Sequence, residues 1–283
     1  MQNLTVLGTG VLGSQIIFQS AYAGKTVVAY DINDDILAKL PARWEQLKAA
    51  YLRDIPGATP EKLDAAEARI RPSSDLADAV GDADLIIEAV PERLDIKQQT
   101  WEKVSKVAPA KTIFATNSST LLPSDIAPFT DRPAKFLAMH FANQIWKFNT
   151  CEIMEHPGTD ADIFEAAVGF AVEIGMEPVR IHKEQPGYVL NSLLVPFLDA
   201  AAQLLVRGVA SVEDIDKTWR ISTGAPVGPF QIYDVVGMNT PYNLSKDSAD
   251  PEKRQFAELI KKEYIDKGYL GIATGRGFYD YSK

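Results

Sequence analysis

His140 is the residue best placed by type and position to move a proton. It follows the apolar run 136–139, which is typical of a buried strand, and imidazole exchanges protons near neutral pH. The other two histidines are less well placed, because His156 precedes a Pro-Gly turn and His182 lies beside a predicted linker. The spacing alone fits a buried structural histidine as well as a catalytic one.

A glycine-rich segment near the N-terminus could bind phosphate groups. Gly8-Thr9-Gly10-Val11-Leu12-Gly13 follows the apolar residues 4–7 and precedes a segment with apolar residues at helical spacing. A second apolar run, 26–30, ends on Asp31. Strand, glycine turn, helix, strand and terminal acid together form the βαβ unit that binds dinucleotides.

The residue types in this unit each have a physical reason. Gly8 permits the tight turn, Gly10 lets the backbone approach a pyrophosphate, and Gly13 lets the helix pack closely on the strand. The free N–H groups at the helix start, beginning with Val11 and Leu12, attract the anion. A purely structural turn is the alternative, since glycines also serve ordinary turns.

Asp31 indicates which dinucleotide the unit binds. A carboxylate at the end of the second strand can accept hydrogen bonds from both ribose hydroxyls, and it would repel a 2′-phosphate. We therefore predict NAD as the cofactor, in preference to NADP. No metal site is predicted.

The elements that position these residues alternate along the chain. Apolar runs predict strands at 84–90, 112–116, 135–141, 151–155 and 177–181, and helical patterns occupy 34–69, 92–107 and 163–174. This alternation predicts an α/β fold with a Rossmann-type, doubly wound, mostly parallel sheet. Helical patterns alone follow Pro186-Gly187, at 188–206, 211–221, 229–236 and 252–266, and predict an all-α C-terminal domain.

Two domains follow from this change of pattern. We place an NAD-binding domain at 1–183 and a helical domain for substrate binding and dimerisation at 184–283. A small helical domain with long apolar faces often buries them against a second copy, so we predict a homodimer. The most apolar long segment, 188–206, contains Asn191 and Asp199, and we expect a buried helix there rather than a membrane span.

Composition limits the function classes. The chain has 283 residues, of which 46% are apolar and 24% charged, as expected for a soluble globular enzyme with a sizeable core. A net charge of −9 argues against binding nucleic acid or an anionic membrane. The single cysteine, Cys151, forbids an internal disulfide, and no signal peptide pattern precedes the first strand, so we expect a cytoplasmic location.

The sequence resembles the L-3-hydroxyacyl-CoA dehydrogenases, including the short 3-hydroxybutyryl-CoA dehydrogenases. The resemblance covers nearly the whole chain, and its motifs agree in order and spacing. They are Gly8 to Gly13, Glu88-Ala-Val-Pro-Glu92 with Lys97, Asn117-Ser-Ser119, His140-Phe-Ala-Asn143, Glu152, Pro186-Gly-Tyr-Val-Leu-Asn191, Gly228-Pro-Phe230 with Asp234, and Thr274-Gly-Arg-Gly-Phe-Tyr279.

The resemblance implies a reaction and a set of roles. His140 would take the proton of a 3-hydroxyl group while hydride leaves C3 for the nicotinamide, and Glu152 would pair with His140 and fix its tautomer. Ser119 and Asn191 would hold the substrate oxygen. Asp31 would bind the adenine ribose, and the nicotinamide side would be contacted by Glu92, Lys97, Ser119 and Asn143.

The substrate implied by the resemblance is an acyl-CoA thioester. We expect interconversion of (S)-3-hydroxyacyl-CoA and 3-oxoacyl-CoA, with a short chain as in 3-hydroxybutyryl-CoA and acetoacetyl-CoA. The chain departs from the family pattern at Ala142, which replaces an aromatic residue, at Gln144, which replaces a proline, and at Ala273, which replaces a lysine. Trp146 and Phe148, in the loop after His140, could shorten an acyl pocket.

Two other functions remain open at this point. A dehydrogenase of a free hydroxy or sugar acid, as in relatives of gulonate dehydrogenase, would use the same His–Glu chemistry without coenzyme A. A non-enzymatic NAD-binding protein with a degraded substrate site is the second. The cations of the predicted helical region 34–69 form either a solvated face or a phosphate-binding patch, and they are Lys39, Arg43, Lys48 and Arg53.

Overall fold

The computed structural model describes residues 1–282 and divides the chain into two compact units, Met1–Val189 and the part from Leu190 onward. The first unit is built on one eight-stranded sheet. Its strands are β1 (Asn3–Leu7), β2 (Thr26–Tyr30), β3 (Ile70–Ser73), β4 (Leu85–Glu88), β5 (Ile113–Thr116), β6 (Phe136–Phe141), β7 (Thr150–Met154) and β8 (Glu177–Ile181).

The strand order is β3-β2-β1-β4-β5-β6-β7-β8, and neighbouring strands run parallel except β6 and β7. From β1 the chain winds outward through β2 and β3, then crosses to the other side of β1 with β4. The strand order therefore reverses between β1 and β4, and doubly wound folds bind their ligands in the crevice beyond the carboxyl ends at that point. The predicted Rossmann-type, mostly parallel sheet is confirmed.

Helices cover both faces of this sheet. On one face, Ile17 and Phe18 pack with Trp44, and on the other face the Trp101 ring lies 4.8 Å from the Phe114 ring. Strands buried on both sides carry uninterrupted apolar residues, which is why the sequence revealed the central strands. The helices are α1 (Val11–Tyr22), α2 (Asp34–Leu37), α3 (Leu40–Asp54), α4 (Pro60–Glu67), α5 (Leu76–Val80), α6 (Leu94–Val104), α7 (Pro123–Ile126) and α8 (Ala161–Glu173).

The sequence patterns did not predict β3. This strand reads Ile70-Arg71-Pro72-Ser73 and lacks an apolar run, since it lies at the edge of the sheet, where proline is tolerated. The predicted helical region 34–69 is divided into α2, α3 and α4.

The second unit is helical. Its elements are α9 (Tyr188–Val206, whose first two residues belong to the first unit), α10 (Val212–Thr223), α11 (Pro229–Val236), α12 (Asn239–Ser245) and α13 (Pro251–Glu263). Two buried carboxylates fix its segments: Asp216 accepts backbone hydrogen bonds at the start of α11, and Asp234 accepts from the N–H groups of Phe278 and Tyr279. The predicted all-α C-terminal domain is confirmed.

The expectation that segment 188–206 forms a buried helix is wrong for the single chain. Only four of the 19 residues of α9 are buried, and Leu193 has 70% of its surface accessible. By length and composition, α9 is the one helix among the described residues that could cross a membrane. Apolar periodicity marks a face that avoids water, but it does not tell whether the same chain or another molecule covers that face.

The compact first unit extends slightly past the predicted boundary at residue 183. The hydroxyl of Tyr188 donates to the carbonyl oxygen of Ser118, and the backbone N–H of Val189 donates to Glu152. These contacts place the first turn of α9 with the sheet, so the first unit ends at Val189.

Candidate active site

The glycine turn after β1 has the shape that a bound dinucleotide needs. Gly8 has a φ of +97°, and a Cβ there would lie 2.6 Å from the carbonyl oxygen of Ala89. A Cβ on Gly13 would collide with the carbonyl oxygen of Gly8. A Cβ on Gly10, in contrast, would meet nothing within 4 Å and would project into open space at the start of α1. That open space is where the backbone can approach a pyrophosphate.

The start of α1 can attract an anion. Gly10 provides no side-chain cap, the first turn contains no acidic residue, and Val11 at the first helical position is exposed. The N–H groups of Val11, Leu12 and Gly13 lie in this first turn, where a helix has no internal acceptors, and together with the helix dipole they favour a phosphate.

Asp31 lies at the end of β2, beside this turn. One carboxylate oxygen accepts hydrogen bonds from the N–H of Thr9 at 2.8 Å and from its hydroxyl at 2.7 Å, and the other accepts from the N–H of Ile32 at 2.9 Å. These bonds orient the carboxylate at the strand end, as a ribose diol requires. The glycines, the uncapped helix and Asp31 thus fit NAD.

His140 lies between a carboxylate and a hydroxyl group. Its Nδ1 is 2.9 Å from Oε2 of Glu152, and its Nε2 is 3.2 Å from Oγ of Ser119. Both His140 and Glu152 are buried. With a proton on Nδ1 donated to Glu152, the Nε2 lone pair faces Ser119, so the imidazole has the tautomer that accepts a proton from that side.

The sheet register creates this pair. β6 and β7 are antiparallel, and His140 and Glu152 are directly opposite partners in the ladder, so their side chains lie on the same face. Ser119 comes from the loop after β5, which pairs with β6 in parallel. Three neighbouring chain segments therefore bring together Ser119, His140 and Glu152, as the resemblance implied.

Glu92 organises the loop that carries Ser119, residues 118–121, which we call the serine loop. Its Oε1 accepts hydrogen bonds from the N–H groups of Ser119 and Thr120, both at 2.9 Å, and from the hydroxyls of Ser118 and Thr120. Burial disfavours the charged form, but the nearby charge of Lys97 and these bonds outweigh it and lower the pKa of Glu92 to about 2. Glu92 is thus ionised at working pH and holds the loop in place.

Lys97 is buried behind Glu92, and its assignment to the nicotinamide side stays a prediction from the resemblance. Its side chain is 1% exposed, with Nζ 2.6 Å from Glu88 and 3.2 Å from Glu92. Glu88 is itself fully buried and also accepts from the N–H of Val90 and the hydroxyl of Thr116. The charge of Lys97 thus stabilises the ionised Glu92 that holds the serine loop.

The loop after His140 takes a course that excludes the usual proline. Gln144 has a φ of +61°, and its N–H donates to Oε1 of Gln15 at 2.7 Å. Proline has neither this φ nor an N–H group. Asn143, just before it, is exposed near the start of α1.

Trp146 and Phe148 lie in different surroundings, and their expected effect on an acyl pocket stays a prediction. The Trp146 indole N–H donates to Asp54 at 3.0 Å, and its ring packs on Tyr51 of α3, 5.4 Å between centroids. Phe148 is half exposed. Trp146 forms one wall of a cavity of about 360 Å³, and the other lining residues are Val11, Ser14, Gln15, Arg43, Gln46, Leu47 and Ala50.

The cations of α3 are mostly neutralised by neighbouring carboxylates. Lys48 forms ion pairs with Glu45, Asp64 and Glu67, and Arg53 pairs with Asp54. Arg43 differs, since its guanidinium donates to the carbonyl oxygen of Thr9 in the glycine turn. The interpretation as a solvated face fits Lys48 and Arg53 better than a phosphate-binding patch.

Two further residues that the sequence analysis singled out belong to the second unit. Asn191 is half-buried on α9, and its role toward the substrate oxygen stays a prediction from the resemblance. Ala273, which replaces the family lysine, lies in an exposed 3₁₀ turn, Ile272–Thr274.

Comparison with known proteins identifies the family. The model of the 3-hydroxyacyl-CoA dehydrogenase NAD-binding domain matches residues 3–185, and the model of the C-terminal domain of the same family matches residues 187–281. The chain belongs to the 3-hydroxyacyl-CoA dehydrogenase family. The predictions of an NAD-dependent dehydrogenase and of NAD as cofactor are confirmed, and the non-enzymatic alternative is not supported.

The names of similar proteins describe different substrates. The mitochondrial hydroxyacyl-coenzyme A dehydrogenase of Rattus norvegicus is 34% identical over 99% of this chain and 91% of its own. The solved (S)-3-hydroxybutyryl-CoA dehydrogenase of Ralstonia eutropha is 29% identical, with a TM-score of 0.80 and full coverage of both chains. A solved diketoreductase that acts on dicarbonyl compounds is 58% identical, with a TM-score of 0.95 and 99% coverage of both chains.

Two residues beside the site were missed by the sequence interpretation. Thr9 binds Asp31, and Tyr188 stacks on the ring of His140. Thr9 lies inside the glycine motif, where only the glycines have fixed roles. Tyr188 is an aromatic residue after Pro186-Gly187, a place where sequence patterns indicate only a turn and a helix start.

Substitution by alanine should have different effects at Gly10 and at Gly13. Gly10→Ala should leave the thermal stability unchanged and weaken NADH binding by about 10-fold or more, because its methyl group would occupy the pyrophosphate position. Gly13→Ala should destabilise the fold by about 1–3 kcal/mol, because the methyl group would collide with the Gly8 backbone. Fluorescence titration with NADH and urea unfolding measure both. Equal NADH affinity of Gly10→Ala and wild type would contradict the assignment of the turn.

The buried charge of Lys97 predicts a large stability effect. Lys97→Met should lower the free energy of unfolding by about 3–5 kcal/mol, because it leaves Glu88 buried without its cation. Lys111→Met is the matched control: the Lys111–Asp84 distance is also 2.6 Å, but the pair is exposed, so the loss should stay below about 1 kcal/mol. Urea unfolding compares the variants, and similar losses would contradict a special role for burial.

Proposed function

We propose that this chain interconverts a short-chain (S)-3-hydroxyacyl-CoA and the 3-oxoacyl-CoA, with His140 as the acid–base group. The position of His140 between Glu152 and Ser119 is the observation that carries the proposal. Family membership supports the reaction type, and the names of the 3-hydroxybutyryl-CoA dehydrogenases among the relatives support a four-carbon acyl group.

The chemistry follows from the hydrogen bonds of His140. Bound NAD supplies the hydride acceptor. In the oxidation direction, the proton of the 3-hydroxyl group moves to Nε2 of His140, the C3–H electron pair leaves as hydride, and the C3–O bond becomes a carbonyl. Glu152 stabilises the imidazolium that forms, through the 2.9 Å contact with Nδ1. The Ser119 hydroxyl lies where it can hydrogen-bond the substrate oxygen as charge develops on it.

A free dicarbonyl compound is the second candidate substrate. The 58% identical diketoreductase supports it, and so does the pairing of Lys48 and Arg53 with carboxylates, which leaves less positive charge for the phosphates of coenzyme A. The proton and hydride transfers at His140 would be the same for both substrates. The two candidates therefore differ only in what holds the rest of the substrate.

We further propose a cytoplasmic homodimer that forms through α9. The exposed apolar side chains of this helix, Leu193 foremost, support an interface. The polar residue in the middle of α9, Asp199, pairs with Lys253 of α13 at 2.6 Å, which favours a protein partner over a membrane.

The reaction is tested by following NADH oxidation. With acetoacetyl-CoA, the wild type should turn over, and His140→Ala should reduce kcat by about 10²–10⁴-fold, because proton transfer is lost. His182→Ala, which changes an exposed histidine, should keep kcat. Free acetoacetate and pentane-2,4-dione, run in parallel, decide between the substrates: turnover of these compounds without turnover of the thioester would favour the dicarbonyl candidate. Equal activity of His140→Ala and wild type would contradict the mechanism.

The dimer is tested by sedimentation velocity. The wild type should sediment at twice the chain mass of 31.1 kDa, and Leu193→Asp should shift it toward the monomer, because a charge would be buried at the interface. Val172→Asp, at an apolar position on α8 of the first unit that is 58% exposed, should stay dimeric. A monomeric wild type would rule out the interface.

A further inference from the structure

Tyr188 covers one face of the His140 imidazole. The ring centroids are 4.4 Å apart and the planes are 18° from parallel, so the rings are stacked. Tyr188 is 1% exposed, and its ring therefore keeps water away from that face of the imidazole. Neither the family comparison nor the mechanism above assigns this residue a role.

The hydroxyl of Tyr188 connects the stacked ring to the serine loop. It donates to the carbonyl oxygen of Ser118 at 2.8 Å, and the next residue, Ser119, lies 3.2 Å from Nε2 of His140. Burial, and then the negative charge of Glu92, raise the pKa of the Tyr188 hydroxyl above its usual value. The hydroxyl therefore remains a donor at every working pH.

The backbone next to Tyr188 holds the other partner of His140. The N–H of Val189 donates to Oε1 of Glu152 at 2.9 Å, while Oε2 of the same carboxylate contacts Nδ1 of His140. Tyr188 itself has a φ of +56°, a left-handed conformation that is uncommon for residues other than glycine. Such a conformation persists where surrounding contacts fix it, and it is enriched at functional sites.

We propose that Tyr188 is a positioning residue that fixes the plane of the His140 imidazole and its distance from Ser119. The hydrogen bond from Nδ1 to Glu152 restrains the terminal side-chain torsion of His140, which is otherwise broad for histidine, but a single hydrogen bond tolerates a range of ring planes. A flat, anchored ring against one face narrows that range, so that Nε2 meets the reacting hydroxyl group in one orientation. This inference rests on the proposed acid–base role of His140.

A residue that merely fills space would behave differently from a positioning residue. Leucine at position 188 would fill most of the volume but would provide neither a flat face nor a donor, whereas phenylalanine would keep the face and lose only the donor. Reaction rates respond steeply to the alignment of reacting groups, and a misplacement of about 1 Å can cost about 10²-fold. The two substitutions therefore separate stacking from anchoring.

The kinetic test compares Tyr188→Leu, Tyr188→Phe and the control Tyr233→Phe, a buried tyrosine in an aromatic cluster of the second unit. With NADH and whichever of acetoacetyl-CoA or acetoacetate the wild type reduces, Tyr188→Leu should lower kcat by about 10²-fold with KM nearly unchanged. Tyr188→Phe should keep most of the alignment, and its kcat should be about 5-fold below that of the wild type, which corresponds to the loss of one hydrogen bond. Tyr233→Phe should match the wild type.

The pH profile of kcat/KM supplies a second readout. The charges that act on Tyr188, besides the stacked His140, come from Glu92, Glu152, Cys151 and Glu88, and none of these residues is changed in the three variants. A shift of the profile in Tyr188→Leu, absent in Tyr233→Phe, would therefore report the changed environment of His140. Loss of kcat without any shift, and of equal size in Tyr188→Phe and Tyr188→Leu, would overturn the positioning role of the ring.

Nuclear magnetic resonance tests the stack without any turnover. The chain has three histidines, so the His140 ring signals can be assigned with His140→Ala. In Tyr188→Leu these signals should move downfield as the ring current disappears, while those of His156 and His182 stay in place. Unchanged His140 signals would overturn the proposal, even if the wild type proved inactive on both substrates. If Tyr188→Leu fails to fold, Tyr188→Met takes its place, and an unchanged kcat, pH profile and His140 spectrum in that variant would overturn the proposal.

Discussion

The antiparallel pairing of β6 with β7 is the constraint on which the active site depends. In an otherwise parallel sheet, this one reversal brings a residue from the next strand directly opposite His140. Side chains alternate between the two faces of a strand, so a slip of the register by one residue would turn Glu152 to the opposite face. The pair of His140 and Glu152 is therefore held in position by the whole ladder.

The serine loop depends on a second constraint, a chain of buried charges. Glu88 and Glu92 both form ion pairs with Lys97. The other carboxylate oxygen of Glu92 accepts the hydrogen bonds of the serine loop. An ion pair removed from water contributes little net stability, but each member becomes costly to remove. Burial of these charges thus specifies the loop conformation more than it stabilises the fold, and that conformation sets the position of Ser119 relative to His140.

Sequence patterns predicted the parts of the site whose positions follow from local geometry. The roles of Gly8, Gly13 and Asp31 depend on spacing within one βαβ unit, and the pairing of His140 with Glu152 was implied by a resemblance that preserves two adjacent strands. The burial of Lys97 and the stack of Tyr188 depend on segments far apart in the chain, and no periodicity reports such contacts. The edge strand β3 was missed for a related reason: an edge strand does not need the apolar run that identifies a buried one.

The loop after β6 shows how one fold can serve different substrates. Gln144 takes a left-handed backbone conformation and binds Gln15 of α1, and Trp146 binds Asp54 of α3. These contacts tie the loop to the helices beside the glycine turn, and together with Arg43 they form the wall of the adjoining cavity. The hydrogen bonds of His140, in contrast, go to Glu152 and Ser119. Sequence changes in this loop can therefore alter the adjoining cavity, while the arrangement of His140, Glu152 and Ser119, fixed by the sheet and by the serine loop, stays the same.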